Sequence, residues 1–178
     1  MTPLTELIQQ IDSKQLWERE VDLQRNDYLV EKGNINTRFF FVVEGSLRIF
    51  VLDSNEENTI RFGYKGNLIA ALDSFLTEKP TELYIQALKK TRLKSVTKIK
   101  LKVLIESSTA NTKLWISILE SFAFQQMERE RDLLTSSPIE RYHRVLQRSP
   151  QLFQAIPDKY IASYLRMSPE TFSRIKKS

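Results

Sequence analysis

The chain has 178 residues, 41% of them hydrophobic and 28% charged, with a formal net charge of +5. That length suits one large or two small domains, with enough apolar residues for a substantial core. With no cysteine and one histidine, disulfides, thiolate metal sites and thiol nucleophiles are excluded, and His143 is too isolated to build a zinc site or a facial triad. Met1 is followed by no basic and apolar leader, and no run approaches about 18 apolar residues, so a soluble, cytoplasmic protein is expected. The charge is uneven. Residues 138–178 carry eight Lys/Arg against three Asp/Glu, which leaves 19 against 19 in residues 1–137. A basic terminal segment favours a polyanionic partner.

Thr2-Pro3 begins an amphipathic helix, with Leu4, Leu7, Ile8 and Ile11 at spacings of three and four. From Glu20 the period becomes two: Val21 and Leu23, then Tyr28 and Val30, alternate with polar residues. Arg25-Asn26-Asp27 supplies turn chemistry. Phe39 to Val43 is a β-branched and aromatic run suited to a buried strand. Leu47, Ile49 and Val51 predict the next strand. Asp53 to Asn58 reads as a polar hairpin loop before a strand over Thr59 to Tyr64. Lys65-Gly66-Asn67 and Thr77 to Glu82 are breaks. Leu83 to Leu88 and Leu93 to Ile99 are further strands. Many short strands at regular spacing predict a sandwich, barrel or jelly roll. Lys98 to Val103 fits either a strand with a solvated basic face or the start of a short helix.

The helical period returns from Asn111. Leu114, Trp115, Ile118, Leu119 and Phe122 form a wide stripe, and Lys113 to Leu134 has no Gly or Pro, enough for a helix of about 30 Å. Leu119 and Phe122 are expected to give it a second apolar face, suited to pairing with another copy. Ser136-Ser137-Pro138 ends it and marks a domain boundary. Ile139, Tyr142, Val145 and Leu146 form the apolar face of the next helix.

The last stretch, Ile156 to Lys177, predicts two short helices. The first, about Pro157 to Leu165, carries Tyr160, Ile161, Tyr164 and Leu165 on one face, with Pro157 at its first position. The second opens with Ser168 as N-cap and Pro169 and Glu170 in its first turn. Phe172 and Ile175 share its apolar face, while Thr171, Ser173, Arg174 and Lys177 lie outside. A small Ala162 at the crossing and a basic outer face describe a helix-turn-helix, whose second helix enters the DNA major groove. A helical hairpin with a solvated basic face fits the same spacing.

Taken together, these residues resemble the Crp/Fnr family of transcription regulators, with greatest similarity to the type found in Bacteroidetes. Gly33 and Phe41-x-Val43-x-Gly45 with Leu47-Arg48 resemble the family's early β-roll signature. Gly66-Asn67-Leu68-Ile69 resembles the start of its phosphate cassette, and Tyr84 to Leu88 the strand after it. The segment from Ile161-Ala162 through Met167-Ser168 to Glu170-Thr171-Phe172-Ser173-Arg174-Ile175 closely resembles its recognition motif. The resemblance implies an α+β chain with a cyclic-nucleotide-binding-like jelly roll and dimerisation helix over residues 1–137, the helix at about 111–137, and a helix-turn-helix domain over residues 138–178. It implies a homodimer on double-stranded DNA, with Ser168, Glu170, Thr171, Arg174 and Lys177 at the interface.

Two departures from the family pattern carry expectations of their own. Members that bind cyclic AMP begin the cassette with Gly-Glu and carry a later Arg-Ser/Thr-Ala. Here those positions fall at Asn67 and at Thr81-Glu82-Leu83. Threonine cannot make the bidentate phosphate pair of an arginine, and Glu82 would repel the anion by about 1–4 kcal/mol. A degenerate effector pocket at Gly66, Asn67, Leu68, Thr81 and Glu82 is therefore expected, with no cofactor and no metal, and with any small-molecule effector other than cyclic AMP. Relatives also continue past the recognition helix into a β-wing, whereas this chain stops at Ser178. An enzyme is disfavoured, because cupin-type jelly rolls draw several His ligands from their strands. The stronger rival is a module binding a ligand or protein, with a vestigial, truncated helix-turn-helix.

Overall fold

The computed structural model of the protein describes residues 2–177; Met1 and Ser178, the outer limits of the two expected domains, lie outside the described residues. Helix α1 (Pro3–Ser13) is capped by the Thr2 hydroxyl and buries Leu7 and Ile11 along one face. The strands are β1 (Arg19–Leu23), β2 (Tyr28–Val30), β3 (Arg38–Glu44), β4 (Ser46–Asp53), β5 (Glu56–Tyr64), β6 (Leu68–Ile69), β7 (Tyr84–Ala87) and β8 (Thr91–Thr97). A short helix, α2 (Leu72–Thr77), separates β6 from β7. Two four-stranded antiparallel sheets result, in the orders β1-β8-β3-β6 and β2-β7-β4-β5. Strands that alternate between two facing sheets make a jelly roll. Its core joins Phe40, Val42 and Leu93 of one sheet to Leu47, Ile49 and Ile85 of the other, each side chain contributing about 1.5–3 kcal/mol by leaving water. The β3–β4 turn requires Gly45: its φ is +96°, and a Cβ there would lie 2.3 Å from the Thr91 hydroxyl oxygen.

Six helices follow: α3 (Lys98–Glu106), α4 (Thr109–Leu134), α5 (Pro138–Arg148), α6 (Pro150–Ala155), α7 (Asp158–Tyr164) and α8 (Pro169–Lys177). Helices α1, α3 and α4 cover the outer face of the first sheet, where Leu7, Leu101, Leu104 and Ile118 pack on Phe39 and Val96. Helices α5 to α8 gather around Tyr142, Val145, Ile161, Leu165 and Phe172, and this cluster includes Phe62 of β5. The C-terminal helices thus pack directly on a roll strand.

Several local readings change. The hairpin loop shrinks from Asp53–Asn58 to Ser54-Asn55, because Asp53 pairs with Glu56. Both turn residues take positive φ, +50° and +66°, as a two-residue turn of this hand requires. Lys98 to Val103 is helical: Thr97 caps it, and Leu101 and Leu104 turn inward while Lys100 and Lys102 face water. Helix α4 starts earlier than expected, at Thr109, because the Ser108 hydroxyl accepts from Asn111 N–H. Its 26 residues span about 39 Å. Pro157 is the N-cap of α7, one position before the helix. Phe122 faces inward with the second cluster and does not contribute to the outer face of α4.

Helix α2 is held by Asp73, whose carboxylate accepts from Thr81 Oγ1 at 2.7 Å, Glu82 N at 2.9 Å and Ser74 N at 2.8 Å. Burial works against its ionisation, but these three donors outweigh it and hold the pKa below the ordinary 3.8. A lowered folded-state value adds stability that is complete above the unfolded pKa and is lost as pH falls through the folded one. Thermal stability should therefore drop as pH falls below about 3.8, and Asp73→Asn should flatten part of that drop in melting curves taken from pH 6 to pH 2. An unchanged slope in the variant would remove Asp73 as its source.

Candidate nucleic-acid interface and effector region

Helices α7 and α8 are joined by four residues, Leu165 to Ser168, that fix their crossing. Arg166 sits at φ +54°. Its N–H bonds Ser163 O at 3.1 Å and the Met167 N–H bonds Ala162 O at 3.1 Å, the two bonds that close a helix through a left-handed residue. Arg141 of α5 reinforces the turn by donating to Leu165 O and Arg166 O, and on its other side to Thr135 O and Ser136 O. One guanidinium thus neutralises the carbonyl ends of both α4 and α7. Ala162 is fully buried, which allows the close approach of α8.

Within α8, Ser168 accepts from Thr171 N–H at 3.2 Å, and the two hydroxyl oxygens lie 3.2 Å apart. Phe172 is buried and Ile175 half-buried, while Glu170, Ser173, Arg174 and Lys177 are exposed and Thr171 is half-buried. Positions 170, 174 and 177 lie at spacings of four and three, so these charged side chains share one outward face. The Glu170 carboxyl is held below its ordinary pKa by its own backbone N–H and by the Ser168 hydroxyl.

Half of the basic residues in the C-terminal segment are engaged elsewhere. Arg141 caps the two helices. Arg144 and Arg148 pair with Glu128 and Asp132 of α4. Lys176 pairs with Asp158 at 2.8 Å, which removes it from the non-specific attraction its terminal position suggests. Lys159, Arg166, Arg174 and Lys177 remain exposed, without an ion pair among the described residues. His143 is exposed and edge-on to Tyr142, a packing role.

The five expected effector-pocket residues fall in two places. Gly66 takes φ +90° in the β5–β6 turn, where Asn67 Oδ1 accepts from Tyr64 N–H at 3.1 Å. Thr81 is fully buried, with its hydroxyl on Asp73, and Glu82 pairs with Lys32 at 2.6 Å. Asn67 and Leu68 line a cavity of about 360 Å³ between the roll, α4 and the C-terminal helices, whereas Gly66, Thr81 and Glu82 do not. The cavity walls hold three arginines that sequence reasoning passed over, Arg61, Arg129 and Arg148. In the sequence, Arg129 is one of a charged run, with nothing to mark it as inward. Arg48 was quoted only within a signature. It is 5% exposed, bonds Gln86 at 2.7 and 3.0 Å, pairs with Glu57 at 2.6 Å, and stacks under Phe50 and Tyr160. It therefore links β4 to α7.

The sequence profile of the cyclic nucleotide-binding domain family matches residues 20–108, half of the chain. The chain belongs to the cyclic nucleotide-binding domain family. Its overall architecture is that of Crp/Fnr regulators. Catabolite activator protein of Thermus thermophilus is similar at 20% identity, covering 99% of this chain and 85% of that one, with a TM-score of 0.59. FixK2 of Bradyrhizobium japonicum is similar at 17% identity over 89% of this chain and 82% of its own, with a TM-score of 0.69. The c-di-GMP-responsive global regulator CLP of Xanthomonas campestris matches at 13% identity over 97% and 90%, with a TM-score of 0.68. At these identities the likeness is one of fold. Among curated protein sequences none matches the chain. The matched cyclic nucleotide-binding region takes in all eight strands apart from the first residue of β1, together with α2 and α3, and leaves the long α4 and the helix-turn-helix beyond it. Among the described residues no helix is long and apolar enough to cross a membrane, and no group of three or more His, Cys, Asp or Glu is placed to hold a metal ion.

Proposed function

We propose that the chain is a homodimeric DNA-binding transcription regulator, with a roll-and-dimer-helix part over residues 1–137 and a DNA-reading part over residues 138–178. The observation that carries the reading is α8. It combines a fixed crossing on α7, a capped N-terminus, and an exposed face bearing Glu170, Arg174 and Lys177, with no ion pair for Arg174 or Lys177 among the described residues. Arg174 can bond guanine O6 and N7 in the major groove, and Glu170, held ionised, can accept from cytosine N4. Ser168 and Thr171, at the α8 N-terminus, suit a backbone phosphate. Selection of genomic fragments on the purified protein tests the reading. An enriched duplex should bind with affinity that falls steeply with salt, through release of condensed counterions. Absence of any enriched sequence would favour the rival, a protein- or ligand-binding module.

The dimer rests on the outer face of α4. Ile116, Leu119, Met127 and Leu134 are exposed at 48%, 39%, 60% and 84%. With the exposed Ala123 between them, they recur at spacings of three, four, four and seven. That is a single stripe opposite the inward Ile118, Phe122 and Arg129. A C2 pairing along it would set two α8 helices on successive major-groove turns, about 34 Å apart. Sedimentation at tens of micromolar should give a dimer, and Leu119→Asp with Met127→Asp a monomer of unchanged helix content. A wild-type monomer would sink the arrangement.

Cyclic AMP is not the effector in this reading. Asn67 is engaged in a turn, Thr81 on Asp73, and Glu82, an anion, pairs with Lys32. Calorimetry with cyclic AMP and cyclic GMP should give no more than millimolar binding. A micromolar dissociation constant would contradict it.

A further inference from the structure

The cavity of about 360 Å³ lies where β5, α1, α4 and the helices α5 to α7 meet, within the ~300–1,000 Å³ range of small-molecule sites. Its charge is unbalanced. Arg148 is answered by Glu128 and Asp132. The Arg61 side chain has no hydrogen bond or ion pair among the described residues, and no Asp or Glu lines the walls. Arg129 is 8% exposed, and its Nη1 is buried without a hydrogen-bond partner. Its guanidinium lies 3.6 Å from the Tyr164 ring centroid, a contact that engages the flat face of the group and does nothing for the in-plane donors of Nη1. An uncompensated buried charge is strongly unfavourable, and so is a buried donor without an acceptor. Two cations face this space, the half-buried Arg61 from the roll and the buried Arg129 from α4, whose charge Asp132 favours without bonding its Nη1. On the remaining surface, Leu4, Phe122 and Leu152 are apolar.

We propose that this cavity binds a small organic dianion, a phosphate monoester or a dicarboxylate, held by Arg129 and Arg61 with its carbon skeleton against Phe122 and Leu152. Two guanidiniums facing one space supply the charge-assisted, bidentate bonds that such groups take. Two positive charges match the two negative charges of either ligand class. The site lies apart from Thr81 and Glu82 and meets the cassette region only at its start, where Asn67, Leu68 and Ile69 form part of the wall. Because its walls come from the roll and from the helix-turn-helix, an occupant ties the two together. The regulatory sense of that tie rests on the DNA-binding reading, whereas the binding itself does not.

The test is calorimetry on dialysed full-length protein in Tris-chloride, with AMP and succinate as the two dianions and adenosine as the uncharged control. At least one dianion should saturate with a dissociation constant below about 1 mM, adenosine should not bind, and the melting temperature should rise with the same dianion. Whether AMP or succinate binds distinguishes the phosphate from the carboxylate source. Arg129→Gln and Arg61→Gln should each weaken binding at least tenfold, and Arg61, being only half-buried, can be replaced without endangering the fold. No saturation by either dianion below 10 mM overturns the proposal. Binding unaffected by Arg61→Gln, or adenosine binding as well as AMP, overturns it equally. A negative result here leaves duplex selection on α8 unaffected, so the two claims fail separately.

Discussion

Asp132→Ala is expected to destabilise the protein by about 3–5 kcal/mol, the usual cost of breaking a buried ion pair by removing one partner. Asp132 is fully buried at the end of α4, and α5 reaches it with two arginines. Arg144 Nε donates to Oδ1 at 3.0 Å, and Arg148 Nη2 donates to Oδ2. Glu128, one turn earlier, holds the second nitrogens of the same pair at 3.3 and 3.6 Å. The network fixes the angle between α4 and α5. The two arginine side chains keep 29% and 26% of their surface in contact with water, so they can relax outward, which favours the lower end of the range. Asp132→Asn should fall between wild type and alanine, since an amide oxygen still accepts from a guanidinium. Urea unfolding measures the loss. A change under about 1 kcal/mol would show that the network contributes no more than an exposed pair does.

The architecture was legible where one pattern had one structural outcome. Phe39 to Val43 could only be a strand buried on both faces. Ser168-Pro169-Glu170, followed by Phe172 and Ile175, specified an N-cap and an apolar face that the fold contains. Short or paired features were not legible. Six residues of α2 are too few for a period to emerge, and its defining bond, from Thr81 to Asp73, joins residues eight positions apart. Ser54-Asn55 lacks the glycine that usually announces a two-residue turn. Phe122 and Leu119 are three apart and only about 60° around the helix, so a linear reading puts them on one stripe, and only the position of α1 and the sheet decides which one is inward. The candidate α8 residues followed from local sequence. The arginine cavity did not, because Arg61 and Arg129 lie far apart in the chain and their lack of partners is a property of the folded arrangement alone.

Arg174→Ala is expected to cost about 1–3 kcal/mol in duplex affinity and to relax preference at a single base position. Arg174 is exposed mid-helix on the face it shares with Glu170, and it has no ion pair among the described residues to give up on docking. A bidentate contact to guanine is lost whole when the guanidinium is removed, which makes the effect local to one base. Lys177, one turn further on, lies nearer the helix end and fits a phosphate contact. Lys177→Ala should therefore weaken all sequences alike and reduce the salt slope by about one unit. The most direct measurement is a base-preference profile of wild type, Arg174→Ala and Lys177→Ala on the duplex selected by the wild type. Arg174→Ala should lose preference at one position per half-site, and Lys177→Ala should leave the profile unchanged. Unchanged affinity and base preference in Arg174→Ala would contradict the assignment of α8 as the helix that reads DNA.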